Sequence, residues 1–395
     1  MSAPSRILVL GGGFAGLWSA LSAARARQEF GAECEIVLVN DTPFHSIRVR
    51  NYEADLSDTR VPLDEVLGPV GVRRIKAEVT AIDVARRRVA CGNETVSYDR
   101  LVFALGSRLA RPSIPGLAQH GFDVDTHAGA MRLNAHIAAL GNRPVSTVLV
   151  VGGGLTGIEA AAEMPGKLRS AGVGSPRVIL ADHASRIGSD MGEGAVPVIE
   201  QALEALGVER RGGVSVVAVD ADGVTLDGGE RIAADAVVWC AGMRANALSA
   251  AFPVERDRAG RLPVEPTLKV KGLAAEFAAG DVAWFLIDGT HPCVMSCQHG
   301  RPMGRFAGHN AVCDLLGKPM LPLAIGWYTT ILDLGPWGAL YTEGWDRKVV
   351  STGMAAKQTK EIINRRRIYP PRSGDRQALL DAAAPTVQTP PVRFD

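Results

Sequence analysis

The same short pattern occurs twice in this chain of 395 residues, and it limits the folds available to the chain more than any other feature. In each copy an apolar run of strand length leads into glycines spaced G-x-G-x-x-G, and a helical repeat of small apolar residues follows. The copies begin at Gly11 and Gly152. Because a strand, a glycine-rich turn and a helix in this order form a dinucleotide-binding unit, an α/β protein with two such units is predicted.

The three glycines of the pattern have different steric roles. The first permits a tight turn, the second lets a pyrophosphate approach bare backbone, and the third lets the helix pack closely on the strand. The anion is then held by unpaired N–H groups and by the positive end of the helix dipole. The two predicted sets are Gly11, Gly13 and Gly16, and Gly152, Gly154 and Gly157.

A second apolar run follows each glycine pattern and ends in a polar residue. Residues 35–39 lead to Asn40 and Asp41, and residues 177–181 lead to Asp182. Both ends fall roughly 25 residues after the last glycine, close to where a ribose is held. A lone glycine pattern can be an ordinary turn, but this context favours two nucleotide sites, typically for a flavin and a nicotinamide.

Composition and charge exclude several other classes of protein. With 43 Lys and Arg against 42 Asp and Glu, the net charge of +1 argues against a nucleic-acid binder driven by bulk charge. No run approaches the ~20 apolar residues of a membrane span, and the first strand begins too early for a secretory signal. Six cysteines, mostly far apart, fit a reducing cytoplasm.

Further motifs extend the similarity to a known family. They are GGGFAG from Gly11, Phe44-His45 followed by Tyr52-Glu53, Tyr98-Asp99 leading into ALGS, GGGLTGIE from Gly152, VVWCAG from Val237, and Phe277–Asp281. With them the chain resembles the pyridine nucleotide-disulfide oxidoreductases, and among these the type II NADH dehydrogenases, over roughly residues 5–315. The resemblance implies FAD and NADH as cofactors, with NADPH as an alternative to NADH.

In that family the nicotinamide domain is inserted into the flavin domain. The resemblance therefore implies an α/β fold with two Rossmann-like dinucleotide-binding domains and a smaller C-terminal region. The FAD-binding domain would consist of residues 1–116 and 256–320, the NAD(P)H-binding domain of residues 117–255, and the C-terminal region of residues 321–395.

The resemblance also implies cofactor contacts for individual residues. Asn40 stands where the family usually has a ribose-binding acid, and either Asn40 or Asp41 could meet the ribose. Asp182 would accept from the ribose hydroxyls of the nicotinamide nucleotide and favour NADH, although His183 and Arg186 could tolerate an extra phosphate. The other implied cofactor contacts are Gly11, Gly13, Phe14, Ala15, Gly16, Arg48, Ala104, Gly106, Gly152, Gly154, Gly157, Gly242, Gly280 and Asp281.

Three residues are implied in catalysis. Glu159 matches a family carboxylate near the nicotinamide, although it could also be a solvent-facing helix residue. The family's quinone signature, Ala-Gln-x-Ala-x-Gln-x-Gly, corresponds to residues 293–300, which keep the second glutamine as Gln298 but have Val294 in place of the first. Val294 cannot hydrogen-bond a quinone carbonyl through its side chain. His299, like His45, could relay protons or could simply be a loop residue.

The cysteine pair Cys293 and Cys297 admits two interpretations. A redox disulfide beside a flavin would suit a disulfide or sulfide oxidoreductase, but the C-x-x-x-C spacing favours small buried thiols. Neither this pair nor any other pattern supplies the three or four ligands of a zinc site, so no metal is expected.

The C-terminal region combines an aromatic block with a basic segment. The block contains Trp327, Tyr328, Trp337, Tyr341 and Trp345, and residues 346–376 carry nine basic and three acidic side chains. Such a region could lie on an anionic membrane, or it could be a solvated helix with a homodimer contact. We therefore expect a cytoplasmic protein that could attach to the inner face of the cell membrane.

These inferences favour an FAD-dependent NAD(P)H dehydrogenase that passes a hydride from NADH to FAD and then electrons to a quinone or similar small acceptor. A helix beginning near Gln298 would direct its positive end at the reduced flavin. Two alternatives stay open: a reductase of a small iron–sulfur carrier that docks on the basic segment, and a nucleotide-sensing flavoprotein.

Overall fold

Two parallel sheets with the same arrangement dominate the computed structural model, which describes residues 4–394. The first has five strands in the order Glu276–Ala278, Arg100–Phe103, Ser5–Leu10, Cys34–Asn40 and Arg73–Lys76. The second has five in the order Gly121–Phe122, Ala236–Trp239, Val145–Val151, Ser175–Ala181 and Val208–Arg211. In each sheet the strand before the glycine pattern is central and the second predicted strand lies beside it, which confirms the α/β class with two Rossmann-like units.

The described residues contain nine α-helices, of which the first and fifth follow the glycine patterns. Helices α1 to α9 are Phe14–Phe30, Leu63–Leu67, Leu117–His120, His127–Ala139, Leu155–Ser170, Ala195–Ala205, Cys297–Leu315, Gly353–Ile362 and Arg376–Ala382. Short 3-10 segments occur at Arg48–Arg50, Ser189–Met191, Ala247–Ala251, Gly280–Val282 and Gly335–Trp337. Because helices cover the sheets, the central strands are buried on both faces and read as unbroken apolar runs.

Helix α7 packs along α1 through two glycines. A Cβ on Gly304 would lie 2.3 Å from the carbonyl oxygen of Ala15, and one on Gly308 would lie 2.0 Å from that of Ser19. No larger side chain fits at either position, so the two helix backbones approach closely. This contact holds the start of α7 beside the first glycine turn.

Small antiparallel pieces complete both units. Strand Phe44–Ser46 pairs with Arg60–Pro62. Strand Ser107–Leu109 pairs with Met243–Ala245, and this second pair joins the two places where the chain crosses between the units. Leu262–Pro263 pair in parallel with Ala283–Trp284. The two three-stranded sheets are Val79–Asp83, Arg88–Cys91 and Glu94–Ser97, and Val216–Asp220, Gly223–Leu226 and Arg231–Ala233.

The C-terminal region forms its own antiparallel sheet of Thr329–Asp333, Ala339–Glu343 and Lys348–Thr352. Helix α8 then continues into a π-helical turn, Ile363–Arg367, and residues 384–394 are irregular. The solvated helix considered for the aromatic block is therefore wrong over this sheet. Tyr328 and Tyr341 are buried, and none of the helices within residues 4–394 is long and apolar enough to cross a membrane.

Candidate functional site

The two glycine turns have matching steric environments. In the first, a Cβ on Gly16 would lie 1.8 Å from the carbonyl oxygen of Gly11, and the corresponding distance from Gly157 to Gly152 is also 1.8 Å. The middle glycines, Gly13 and Gly154, differ from these because no described atom lies within 4 Å of an added Cβ. Each turn thus combines close helix packing with free space at the helix start, which fits a dinucleotide pyrophosphate.

Asn40 and Asp182 hold equivalent positions next to these turns. The Oδ1 atom of Asn40 accepts from the N–H of Gly12 at 2.8 Å, and Oδ2 of Asp182 accepts from the N–H of Gly153. Asp41 is exposed one residue further on. The structural equivalence therefore favours Asn40 over Asp41 as the ribose contact of the first site.

The two cations predicted near Asp182 make different contacts. The Nδ1 atom of His183 lies 3.2 Å from the Asp182 carboxylate, and the His183 side chain is 83% exposed. Arg186 pairs instead with Glu200 at 3.4 Å. Because Glu200 neutralises Arg186, this arrangement favours NADH over NADPH at the second site.

Arg48 and Asp281, both predicted on the FAD side, meet at Ser107. Arg48 donates to the carbonyl oxygen of Ser107 at 3.0 Å and forms an ion pair with Asp125. The Ser107 hydroxyl donates to Asp281 at 2.5 Å. Burial raises the pKa of Asp281, and the hydrogen bond from Ser107 opposes this shift. Residues from three distant stretches of sequence are thereby gathered at one place.

The remaining predicted FAD contacts fall into two groups. A Cβ added to Gly11 would lie 2.4 Å from the carbonyl oxygen of Ala104. A Cβ added to Gly280 would lie 2.7 Å from the Cβ of Ala15. Phe14 lies edge-on to His45, with ring centroids 5.1 Å apart. Gly106 and Gly242 have left-handed backbones, with φ of 67° and 79°, on the crossings between the two units.

A cavity of about 350 Å³ lies where both units and the C-terminal region meet. Helix α5 contributes Leu155 and Glu159, the start of α7 contributes Gln298, and the irregular tail contributes Gln388. Other lining residues are Arg48, Tyr52, Met295, Cys297, Arg301, Trp327, Ile331, Lys360, Asn364 and Arg367. The cavity therefore adjoins the second glycine turn on one side and α7 on the other.

Glu159 is buried in the wall of this cavity, so the solvent-facing alternative is wrong. Its Oε1 atom accepts from Lys360 Nζ at 2.6 Å and from the N–H of Asp333 at 3.1 Å. Burial outweighs the attraction of Lys360 and raises the pKa of Glu159. Desolvation opposes the charge of Lys360, but the carboxylates of Glu159 and Asp333 outweigh it and raise the pKa of Lys360.

A polar network continues from this pair toward the protein exterior. Asp333 accepts from the Tyr52 hydroxyl at 3.2 Å and from Lys357 Nζ at 2.6 Å, and Lys357 lies 3.9 Å from Glu163. Lys360, Asp333 and Lys357 were not predicted from the sequence. Nothing in the local sequence pattern pairs these residues with Glu159. Only their position among apolar residues could have indicated that they are buried.

Gln298 lies at the start of α7, as predicted, with its side chain against the C-terminal sheet. In the amide orientation that gives both of its polar atoms a partner, Nε2 donates to the carbonyl oxygen of Thr329 at 2.8 Å and Oε1 accepts from the N–H of Thr329 at 3.2 Å. His299 does not line the cavity, since its ring packs against Tyr328 and Trp345. The structure therefore brings Glu159 and Gln298 to one cavity and places His299 behind its wall.

The predicted thiol pair lies in two different settings. Cys293 is buried and its Sγ donates to the carbonyl oxygen of Ala283 at 3.2 Å, whereas Cys297 lines the cavity. Desolvation raises the pKa of both thiols. The cysteines, all of which lie within residues 4–394, are free. Cys293 is therefore a buried thiol, whereas Cys297 is only partly buried, and a protonated thiol is a poor nucleophile in either setting.

Two buried histidines make the stability of the protein depend on pH. Burial lowers the pKa of His45 to about 4, although its Nδ1 donates to the carbonyl oxygen of Gly12 at 2.8 Å. Burial also lowers the pKa of His299 to about 4, and its Nδ1 accepts from the N–H of Val294 at 2.9 Å. Both rings are therefore neutral at pH 7.

Between pH 6.5 and pH 4 the unfolded chain binds protons that the folded chain refuses, so stability falls as the pH falls. We expect each histidine to remove about 2 kcal/mol from the free energy of unfolding between pH 7 and pH 5. Urea titrations of the wild type and His299→Asn at both pH values measure this loss. Equal losses in the two proteins would contradict the assignment to His299.

Comparison with known proteins agrees with this architecture. The family model described as pyridine nucleotide-disulphide oxidoreductase matches residues 5–304. An NADH dehydrogenase-like protein of Mycobacterium tuberculosis is 57% identical over 98% of this chain and 100% of its own length. A demethylphylloquinone reductase of Synechocystis is 29% identical over 92% of this chain and 91% of its own length.

Among solved structures, the sulfide:quinone oxidoreductase of Aquifex aeolicus has a similar fold. The TM-score is 0.79 at 18% sequence identity, and the alignment covers 94% of this chain and 92% of that one. At this level of identity the likeness concerns the fold alone.

Proposed function

Because this chain belongs to the pyridine nucleotide-disulphide oxidoreductase family and is a flavin-dependent NADH oxidoreductase, we propose that it passes the electrons of NADH to a quinone bound in the cavity beside Gln298. One observation carries this proposal: a single cavity adjoins both the second glycine turn and the start of α7. A donor and an acceptor can thus reach the same place. The quinone-reducing name of the Synechocystis relative also supports it.

The placement of the two cofactors is part of the proposal. FAD would lie on the unit formed by residues 1–116 and 256–320, held at Gly13 and at the Arg48–Ser107–Asp281 cluster. NADH would lie on the unit formed by residues 117–255, held at Gly154 and Asp182. When bound, FAD supplies a centre that accepts two electrons from NADH and returns them to the acceptor.

The residues of the chain bind, orient and supply protons. The start of α7 directs unpaired N–H groups and a positive dipole toward the cavity, where they stabilise negative charge. A quinone that gains two electrons also takes up two protons. The Glu159–Lys360 pair holds an exchangeable proton at the cavity wall, and Asp333 and Lys357 link this pair to the exterior.

The acceptor is oriented differently from the family pattern. The amide of Gln298 already bonds the backbone of Thr329, and Val294 offers no side-chain donor. The cavity wall also carries the cationic donors Lys360 and Arg301. Both side chains are protonated and can donate to a quinone oxygen, whereas the raised pKa of Cys297 keeps its thiol protonated and poorly nucleophilic. These features favour quinone reduction over sulfide chemistry.

Attachment to a membrane through the C-terminal region is a further proposal. Arg365, Arg366 and Arg372 are exposed on that region and could meet anionic lipid headgroups. The aromatic side chains contribute less than the sequence implied, because Tyr328 and Trp345 stack on each other with ring centroids 4.1 Å apart.

A donor and acceptor screen tests the proposed function. NADH and NADPH are each combined with menadione and with a ferredoxin-type iron–sulfur carrier, using the purified FAD-loaded protein. We expect turnover of about 1–10³ s⁻¹ with NADH and menadione, and kcat/KM at least about tenfold lower with NADPH because of the Asp182 carboxylate. Activity confined to the iron–sulfur carrier would favour the reductase alternative. Turnover far below 1 s⁻¹ with every acceptor would favour nucleotide sensing.

A further inference from the structure

Two guanidinium groups on α7 are buried without a counter-ion among the described residues. Arg301 is 8% exposed and Arg305 is 3% exposed. The Nε atoms of both, and Nη1 of Arg305, are buried without a hydrogen-bond partner in the described part of the chain. No carboxylate between residues 4 and 394 forms an ion pair with either group. Buried charges in proteins are ordinarily paired, so this arrangement is incomplete.

Two other buried cations of this protein are paired with carboxylates. Arg50 is 1% exposed and donates to both carboxylate oxygens of Glu53, at 2.8 and 2.7 Å. Lys360 is 6% exposed and is paired with Glu159 at 2.6 Å. The unpaired state of Arg301 and Arg305 is therefore not a general property of this interior.

Trp18 of helix α1 stabilises both unpaired groups only in part. The Cζ atoms of Arg301 and Arg305 lie 4.9 and 4.3 Å from the centroid of its indole ring. Such cation–π contacts use the flat face of a guanidinium. Because the N–H donors lie in the guanidinium plane, they stay available for an acceptor.

The cavity next to Arg301 has an excess of positive charge. The described residues that line it include five cations, Arg48, Arg301, Arg347, Lys360 and Arg367, and one carboxylate, that of Glu159. Arg367 donates to the backbone carbonyl oxygens of Thr389 and Pro390 in the irregular tail.

Both unpaired arginines stay charged at neutral pH. Desolvation lowers the pKa of Arg301 to about 10, and desolvation together with the nearby Arg301 lowers that of Arg305 to about 9. A negative group that entered the cavity would offset the positive charge of both guanidinium groups and supply an acceptor to Arg301, which lines the cavity.

We propose that Arg301, supported by Arg305, binds an anionic substituent of the electron acceptor, so that the preferred quinone carries a carboxylate or a sulfonate. The in-plane donors of a guanidinium suit the oxygens of such a group. The inference rests on the proposed function, because it concerns the acceptor that shares the cavity with Gln298. A small free anion offers the same chemistry, and the experiment below separates the two sources.

Two acceptors that differ in one charged group test the inference. They are 1,4-naphthoquinone and 1,4-naphthoquinone-2-sulfonate, each assayed with NADH and the FAD-loaded enzyme. Arg301→Met keeps the volume of the side chain and removes its charge. We expect this change to raise KM for the sulfonated quinone by about 10- to 100-fold, and KM for the neutral quinone by less than about twofold.

Two further variants complete the series. Arg305→Met should raise KM for the sulfonated quinone in the same direction but by a smaller factor, since Arg305 does not line the cavity. Arg256→Met is the matched control, because it removes one positive charge from an exposed position that does not line the cavity. An equal rise of KM for both quinones in Arg301→Met, or the same selective rise in Arg256→Met, would overturn the inference.

A binding measurement without turnover separates this inference from the proposed function. Naphthalene-2-sulfonate is titrated calorimetrically into the oxidised, FAD-loaded wild type and Arg301→Met, and inorganic phosphate is titrated in parallel. Binding of the naphthalene sulfonate that Arg301→Met weakens about 10- to 100-fold supports the inference even if no quinone is reduced. Binding of phosphate alone would assign the site to a free anion and overturn it. Loss of FAD from Arg301→Met would also overturn it, because the cations would then serve the flavin.

Discussion

Replacing Gly154 by valine is expected to abolish NADH oxidation while FAD stays bound. Gly154 has φ of −81° and ψ of −176°, an extended backbone that valine adopts readily. No described atom is found within 4 Å of the new Cβ, so the variant should fold normally. The valine side chain would occupy the space through which a pyrophosphate reaches the N–H groups at the start of α5. Because several charge-assisted hydrogen bonds are lost together, the Kd for NADH should rise by about 100-fold or more.

Gly13 provides the reciprocal variant. It also has an extended backbone, with φ of −74° and ψ of −168°, and an added Cβ again has no neighbour within 4 Å among residues 4–394. Gly13→Val should therefore lose FAD and keep its affinity for NADH. Flavin absorbance after gel filtration and anaerobic NADH titration measure the two affinities in both variants. If Gly154→Val lost its flavin and bound NADH normally, the proposed assignment of the two units would be reversed.

Gly157 serves as the steric control for this pair. An added Cβ there would lie 1.8 Å from the carbonyl oxygen of Gly152, inside the packing of α5 on its strand. Gly157→Val is therefore expected to damage the second unit itself. The contrast between Gly154 and Gly157 separates a blocked ligand site from a broken fold, although both belong to one motif.

The two parallel sheets could be predicted from the sequence because the pattern that specifies each of them lies within a short, continuous stretch of residues. Strand, turn and helix follow one another within about 30 residues, and each glycine has a steric reason that the backbone imposes directly. The choice between Asn40 and Asp41 as the ribose contact could not be made from the local pattern. Only the hydrogen bond from Gly12 to Asn40 distinguishes them, and this bond depends on the register between two strands.

The C-terminal half of the cavity could not be predicted in the same way. Glu159 and Lys360 are 201 residues apart, and only the packing of α8 against the C-terminal sheet brings them together. The aromatic block was interpreted as a surface feature, whereas Tyr341 is buried within a strand. Contacts of this kind depend on tertiary packing, which overrides the local pattern.

The burial of the two unpaired arginines also depends on tertiary packing and could not be predicted from the local sequence. Arg301 and Arg305 are four residues apart on α7, a spacing that on an exposed helix would indicate two solvated cations. Their burial follows from Gly304 and Gly308, which draw α7 onto α1 and carry both side chains to Trp18. The feature with the greatest bearing on acceptor choice therefore arises from helix packing and not from a motif.

Replacing Lys360 by methionine is expected to lower the free energy of unfolding by about 3–5 kcal/mol, because Glu159 would be left buried without its cation. The double variant Glu159→Gln with Lys360→Met removes both charges, so it should recover much of this loss. Both proteins lose the bond from Lys360 to the carbonyl oxygen of Ile331, which therefore cancels in the comparison. Urea unfolding followed by tryptophan fluorescence, with FAD in excess, gives the three free energies.

The loss in Lys360→Met should also depend on pH with a definite sign. Burial already raises the pKa of Glu159, and removal of Lys360 would raise it further. A carboxyl group whose pKa is higher in the folded state holds its proton more firmly there, so its folded state is favoured at low pH. The deficit of Lys360→Met relative to the wild type should therefore grow from pH 5 to pH 8, and so should its deficit relative to the double variant, which has no carboxyl group at position 159. Equal deficits for the single and double variants at both pH values would mean that Glu159 is not the group that Lys360 neutralises.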